Sequence, residues 1–504
     1  MPPIIQTKAV MYTVKDLIHT LTPAREATPF TGRRIHFVGI GGSGMSGLAQ
    51  MIIHFGGKVS GTDRTATAVT RRLSELGAAI SYDEVAASIP QGTETIVYSA
   101  AVKQEHPELV EARSRGCQII KYAQMLGEVM KLRHGIAIAG THGKSTTTAM
   151  TAHVLLAAGK DPSFVVGATC PQLGGSARCG NGDFFVVEAC EYDRSFHNLR
   201  PRIGVVLNIE EDHLDYYKDI HEINESFATF INHIDPNGVA LIEAGNENCT
   251  TAARNAECMV ETYGIDVAAD WQATGIRRFQ GKAHFHVTYK GKKMGRLTLS
   301  IAGRHNVGNA TVAAAIATHC GLQWEQIQSG IESFRGADRR SQMMGQLPLP
   351  GKADQSVVTF IDDYGHHPTE IRATLQALRE HYRPQRLICV FQPHQHSRTR
   401  FLLDDFAKSF SHADLTIVPD IFFVRDSEAD RKAVNSAMLV ERIQNSANSE
   451  GGGKEARYIP TFKEISDYLM LNMQPGDLVV SMGAGPVWEV TDELVRRIRG
   501  SSPA

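Results

Sequence analysis

Two glycine-bearing loops, each entered from an apolar run and left into a helical one, constrain this chain more than any other feature. The first is Gly39-Ile40-Gly41-Gly42-Ser43-Gly44; it follows RRIHFVGI (33–40) and precedes GMSGLAQMIIHF. The second is Gly140-Thr141-His142-Gly143-Lys144-Ser145-Thr146; it follows GIAIAG (135–140) and precedes TTTAMTAHVLLAAG. A short apolar run rich in β-branched residues is a buried-strand signal, and apolar residues at helical spacing mark the helix after it. Strand, glycine turn and helix in that order turn backbone N–H groups toward one point, where the helix dipole also favours an anion. Two such units, well separated, require two parallel α/β sheets.

The alternation continues on both sides. KVSGTD (58–63), ETIVYSA (94–100) and GCQII extend the first unit; FFVVEA (184–189) and RIGVVLNI (202–209) extend the second. Residues 271–302 differ, with alternating residues around a KGKK turn that predict an antiparallel hairpin. The pattern restarts near Ser341 with SVVTFIDDY (356–364), RLICVFQ (386–392), LTIVPDIF and DLVVSMGAG. A short helix is expected around Val14–Leu21, and a polar surface loop at NSANSEGGGK (445–454). The expected fold is α/β in three domains: a Rossmann-like domain over 1–133, a central P-loop ATPase-like domain over 134–340 and a Rossmann-like C-terminal domain over 341–504, in keeping with 504 residues.

Composition removes other classes. With 42% apolar and 21% charged residues the chain is neither disordered, collagen-like nor a coiled-coil rod. A net charge of −2 gives no bulk attraction to nucleic acid or an acidic membrane. There is no apolar run of membrane-spanning length and no secretory signal, so no membrane insertion is expected. The 8 cysteines form no C-x-x-C pair and read as buried free thiols of a reducing compartment, the cytoplasm.

The first loop fits G-x-G-x-x-G, with Asp63 ending the next strand. This suits a dinucleotide, and a sugar-nucleotide diphosphate satisfies the same physics; a tight turn without ligand is the bland alternative. In the second loop Ile138 stands where a full Walker A has its first glycine, yet Lys144 can reach β- and γ-phosphates and the Ser145 hydroxyl can bind Mg²⁺. Glu188, ending a strand beside that loop, suits a Mg²⁺ ligand, with Glu191 and Asp193 supporting. His213 lies in the acidic loop NIEEDHLD as a second metal ligand, with Asp212 and Asp215 to orient it. Arg339-Arg340 is a solvated pair or a phosphate clamp. His366, His394, His396, Arg398 and Arg400 fall at strand ends, where an α/β sheet has its ligand crevice; they lack a clear carboxylate partner, which favours recognition of a carboxylate or phosphate over metal binding. One diphosphate loop and one triphosphate loop suggest ATP-driven chemistry on a nucleotide-linked substrate.

IHFVGIGGSGMSGLA (35–49), GTHGKSTTT (140–148), EACEYDRSF (188–196), NIEEDHLD (208–215), GRHNVGNA (303–310), DDYGHHPTE (362–370) and FQPHQHSRTR (391–400), in this order, resemble the Mur ligase family. The resemblance implies an enzyme that joins an amino acid, expected to be L-alanine, to the lactyl carboxylate of UDP-N-acetylmuramate through an acyl phosphate made with ATP and Mg²⁺ in peptidoglycan precursor synthesis. It implies UDP-sugar contacts at Gly41, Gly42, Ser43, Gly44, Met45, Ser46, Asp63 and Ser99. It implies ATP contacts at Gly140, Thr141, His142, Gly143, Lys144, Ser145 and Thr146, at His305, Asn306 and Asn309 near adenine, and at Arg340 and Asp363. Ser145, Glu188 and His213 match metal ligands; Lys144, His213, Arg340, His366, His394 and Arg398 match catalytic positions. A monomer or weak homodimer is expected. Three departures lie in the third domain: Gln395 where the family often has Arg, residues 420–432 in place of a Y-x-A-G-E-x-P block, and Pro486 in place of Asp. They leave glycine or L-serine open as the amino acid. They also leave open a ligase that recycles a preformed tripeptide, or a nucleotide-binding descendant without activity. An NAD oxidoreductase would leave the second loop unexplained.

Overall fold

A computed structural model describes residues 27–350, 356–424, 426–446 and 455–500. The helix expected at 14–21 and residues 447–454 of the expected polar loop lie outside these; Asn445 and Ser446 end the helix Ser436–Ser446.

Three sheets follow one another along the chain. The first has five parallel strands in the order Ala79–Ser81, Lys58–Thr62, Arg34–Val38, Thr95–Tyr98, Gln118–Lys121. The second has ten: its centre runs Met259–Ile265, Val239–Glu243, Ile203–Val206, His134–Ala139, Phe184–Glu188, Ser163–Cys170, all parallel. The third has six, with Asp477–Met482 at its middle between Val357–Asp363 and Arg386–Phe391. Ile203–Val206 and Asp477–Met482 are buried at every residue, as strands covered on both faces must be.

The expected hairpin at 271–302 is present as Lys282–Tyr289 and Lys292–Leu299. Its turn residues Lys290 and Gly291 both have positive φ, the two-residue geometry that matches strand twist. The sequence reading missed a third strand, Trp271–Phe279, which pairs antiparallel with the hairpin and joins it to the parallel core. Its alternation breaks at a bulge between Thr274 and Arg277, which hides the period.

The hydrophobic core is shared unequally. One continuous cluster runs from Phe37, Leu48 and Ile52 of the first unit through Val165 and Phe185 to Phe227 and Phe230 of the second. At this seam Gly47 faces Ala177 so closely that a Cβ on Gly47 would lie 2.2 Å from the alanine Cβ. Gly127 likewise lies on Asn198, whose carbonyl oxygen would be 2.2 Å from an added Cβ. The third unit has its own two clusters, one on each face of its sheet. All eight cysteines are free, but Cys190 is exposed and Cys117 half-buried, so the expectation of uniformly buried thiols fails at these two. Cys190 sits in the turn after Glu188, outside any apolar stretch. Among the described residues no helix is long and apolar enough to cross a membrane.

Candidate active site

The strand His134–Ala139 delivers the second loop to the C-terminal edge of the central sheet. Gly140 (φ +138) and Gly143 (φ +85) hold backbone conformations that favour glycine. A Cβ on Gly140 would also lie 2.9 Å from that of Leu207. The His142 N–H donates to Asn208 Oδ1 at 2.7 Å, and Asn208 Nδ2 donates back to the His142 carbonyl at 3.1 Å, which fixes the loop's curve. The helix Lys144–Ala157 then starts without a side-chain cap, leaving its first amides to an anion.

Lys144 Nζ donates to Gly140 O at 2.5 Å, Thr141 O at 3.1 Å and Glu191 Oε1 at 2.9 Å. Burial alone would lower its pKa, but the Glu191 and Glu188 carboxylates and the Cys190 thiol raise it, and the ammonium stays charged. Glu191 Oε1 is also 3.7 Å from His213 Nε2. Its other oxygen, Oε2, is buried without a partner, and so is Nδ1 of His213. Glu188 Oε2 accepts the Gly167 N–H at 2.7 Å. The turn after Glu188 is tight: Asp193 (φ +53) and Arg194 (φ +50) are consecutive left-handed residues. The expected metal residues Glu188 and His213 thus flank Lys144. The surprise is Glu191, read as supporting, which stands buried between Lys144 and His213; nothing in its spacing distinguishes it from its acidic neighbours. Ser145 Oγ accepts from Arg340 Nη2 at 3.4 Å.

His213 has φ +54, and its N–H donates to Asp212 Oδ1 at 2.7 Å. Asp212 is held mainly by the third unit: Arg398 Nη2 and Nε donate to its Oδ1 at 2.8 and 3.1 Å. Burial would raise the Asp212 carboxyl, but the Arg398 guanidinium beside it holds it well below the usual carboxylate range. Arg398 Nη1 also lies 3.3 Å from His394 Nδ1, and the His394 ring is 6.1 Å from that of His366. Burial, with Arg398 second, pushes His366 down to about 3, so it is neutral. The predicted His366, His394 and Arg398 therefore meet. The divergent segment 420–432 serves this cluster: Phe422 stacks on His394 at 5.6 Å, and the Asp426 carboxylate accepts the N–H groups of His396 and Ser397 at 2.7 and 3.0 Å. Gln395 (φ +72) donates its N–H to Phe422 O at 3.1 Å.

His142 bridges the second and third units, with Nε2 3.4 Å from Glu210 Oε2 and Nδ1 3.3 Å from Glu370 Oε1. Burial opposes its charge, but these carboxylates raise it to about 9, so it is an imidazolium at neutral pH. With His367 it places three potential ligand atoms within 4.8 Å of one another, Glu210 supplying the carboxylate that the sequence left without a source. With His142 charged between Glu210 and Glu370, the trio forms an ion-pair cluster. Arg339 and Arg340 part company. Arg339 Nε donates to Asp362 Oδ2 at 2.9 Å inside the third unit, and Arg340 turns to Ser145.

The phosphate loop opens on a cavity of about 230 Å³. His142, Gly143 and Thr146 line it, as do Asn246, Tyr263, Ile265, His305, Asn306 and Asn309; Arg340 at the joint and Ser341, Asp363 and Glu370 of the third unit complete it. His305, Asn306 and Asn309 are in the first turns of the helix Arg304–His319. Burial pushes His305 down to about 4 and Asp363 up to about 6. Glu243, Asn246 and Tyr263 were missed; Glu243 ends the apolar run VALIE, and that strand end was the available signal. Burial, with Glu210 second, pushes Glu243 up to about 7.

The first loop sits at the corresponding edge of its own sheet. Asp63 Oδ2 accepts the Gly41 N–H at 2.8 Å. Gly42 precedes the helix Ser43–His54, which carries Ser43, Gly44, Met45 and Ser46 in its first turn. Ser99 directly follows the neighbouring strand Thr95–Tyr98.

Three family models cover most of the chain: Mur ligase family, catalytic domain at residues 34–134; Mur ligase middle domain at 138–317; and Mur ligase, glutamate ligase domain at 350–485. The UDP-N-acetylmuramate--L-alanine ligase of Geotalea uraniireducens is 40% identical over 467 residues, 93% of this chain and 98% of the relative. That of Geobacter sulfurreducens is 39% identical over 472 residues, 94% and 99%. Among solved structures, the UDP-N-acetylmuramate-alanine ligase of Thermotoga maritima matches with TM-score 0.74 and 26% identity, covering 93% of this chain and all (100%) of its own. A murein peptide ligase of Psychrobacter arcticus matches with TM-score 0.65 and 25% identity, covering 94% and 100%.

Proposed function

The chain belongs to the Mur ligase family, and from that premise we propose that it joins L-alanine to the lactyl carboxylate of UDP-N-acetylmuramate with ATP, in peptidoglycan precursor synthesis. Relatives of that name, 40% identical over nearly their whole length, support the reading. The structural observation that carries it is a cavity lined by His142, Gly143 and Thr146 of the phosphate loop and by Arg340, Asp363 and Glu370, with Lys144 of the same loop tied to the buried Glu191 and, through it, to His213.

The division of labour follows the three sheets, with limits near 133 and 340. The first loop, with Asp63 and Ser99, takes the UDP-sugar. The cavity takes ATP, its phosphates on residues 140–146 and its adenine toward His305, Asn306 and Asn309. The lactyl carboxylate attacks the γ-phosphorus, ADP leaves, and an acyl phosphate forms. The amine of L-alanine then attacks the acyl carbon, phosphate leaves, and the surplus amine proton goes to solvent or a nearby base. Both reactants of the first step are anions, so the site must neutralise charge where it builds. Lys144, the His142 imidazolium and Arg340 supply it. Ser145, Glu188 and His213 would hold Mg²⁺; the buried, unpartnered Glu191 Oε2 and His213 Nδ1 beside them fit a site built for a cation. When bound, Mg²⁺ neutralises phosphate charge. His366, His394 and Arg398 face the amino acid. Its soluble, nucleotide-activated reactants suit a cytoplasmic enzyme.

Incubation with ATP, Mg²⁺ and UDP-N-acetylmuramate, adding L-alanine, glycine, L-serine or the recycled tripeptide separately, tests this by product mass. A UDP-N-acetylmuramoyl-L-alanine mass with equimolar ADP is expected; a tripeptide product alone would move the protein to the recycling reaction. Lys144→Ala should abolish ADP release while UDP-N-acetylmuramate still binds, and undiminished ligation would refute the assignment.

A further inference from the structure

The first loop and the Lys144 cluster lie on different sheets, and one side chain stands between them. Tyr122 opens the helix Tyr122–Met130 directly after the edge strand Gln118–Lys121. On one side its ring presses on the first loop: a Cβ on Gly44 would lie 2.9 Å from the phenolic oxygen. On the other side, after burial itself, the Glu188 carboxylate and the Cys190 thiol raise its pKa, which puts the phenol within electrostatic reach of the metal residue and keeps it protonated. The position is fixed. Lys121 Nζ donates to Asp193 Oδ2 at 2.5 Å, and Gly127 on the same helix lies backbone to backbone on Asn198. Yet among the described residues the Tyr122 hydroxyl has no hydrogen-bond partner, although the residue is half-buried.

No described group of the protein competes for this hydroxyl, so its proton is available to a ligand. A substrate with its pyrophosphate on the first loop and its carboxylate beside Lys144 must cross this point. A carboxylate arriving next to Glu188 also needs a donor to offset repulsion, and Tyr122 is the unpartnered donor present.

We propose that Tyr122 is a specificity residue whose hydroxyl donates a hydrogen bond to the lactyl carboxylate of the sugar nucleotide, distinguishing it from the same nucleotide sugar without the lactyl group. This rests on the substrate reading above and names a contact within it. No bond is made or broken at Tyr122; it orients the carboxylate.

The test is calorimetric binding without ATP, comparing the intact chain with Tyr122→Phe. A hydrogen bond to a charged group corresponds to about a tenfold to hundredfold change in affinity. Affinity for UDP-N-acetylmuramate should fall by that factor, affinity for UDP-N-acetylglucosamine should stay the same, and the thermal midpoint should not move, because the hydroxyl has no partner in the protein. Unchanged affinity for UDP-N-acetylmuramate would overturn the inference; so would an equal loss for both ligands, which would put the contact on the shared sugar or nucleotide. A selective loss in Tyr122→Phe, together with a wild-type chain that forms no ligated product, would sink the proposed reaction and leave the contact standing.

Discussion

Arg398 offers the sharpest test of how the third unit communicates with the reacting centre. Its guanidinium lies on Asp212, next to His213, and both side chains are at least nine-tenths buried. Replacement by Met keeps the bulk and removes the charge. An ionised Asp212 would then be buried alone, and it escapes by taking a proton. From an ordinary value of 3.8, that costs about 4 kcal/mol at pH 7 and about 3 kcal/mol at pH 6, at 1.36 per pH unit. The figure agrees with the roughly 3–5 kcal/mol for breaking a buried pair. The cost falls on the closed arrangement of the second and third units, so kcat/KM should drop about a thousandfold at pH 7 and about a hundredfold at pH 6. The assay is ADP release against L-alanine concentration at both values. Adding Asp212→Asn removes the stranded carboxylate and should recover at least about tenfold over Arg398→Met alone. A pH-independent defect, or strictly additive variants, would refute the argument and place Arg398 directly on substrate.

Gly47→Ala forces a methyl against Ala177 and should lower the thermal midpoint by several degrees, from about 1–3 kcal/mol of overpacking. Adding Ala177→Gly should restore it, and failure of that rescue would deny the close seam. Glu243 titrates near 7 in the folded chain against 4.5 as the ordinary value. The folded state therefore holds a proton that the unfolded chain has released, and stability declines as pH rises from about 4.5 to about 7, by up to about 3 kcal/mol. Urea unfolding of Glu243→Gln at pH 5 and pH 8 should show a smaller difference than wild type; an identical difference would remove Glu243 as its cause.

Much of this was legible because it is local. Lys144 and Ser145 are identified by a strand, a glycine turn and a helix that sit side by side in the chain, and the parallel strands advertise themselves through apolar runs such as VALIE and DLVVSM. His305 and Asn309 needed the family pattern, since a polar helix start has a bland explanation. What was hidden is what the fold brings together from a distance. Glu191 looks like Asp193 in sequence; only the fold shows Tyr217 donating to its carbonyl and Lys144 to its carboxylate. Glu210 Oε2 lies 3.9 Å from His367 Nδ1 of the third unit, a residue far along the chain. Segment 420–432 departs from the family pattern, yet Asp426 and Phe422 still brace His394 and the helix that carries Arg398. A departure in letters was met by packing that no single window of sequence displays.

The unbroken apolar cluster between the first and second units has a consequence for timing. In the proposed reaction the sugar nucleotide and ATP rest on two units that share one apolar core, so packing sets the gap between their reacting atoms. The third unit has its own two apolar clusters and meets the second through charged contacts such as Arg398 with Asp212 and His142 with Glu370. In that reaction, opening and closing the third unit would make and break a few polar contacts and leave the apolar seam intact.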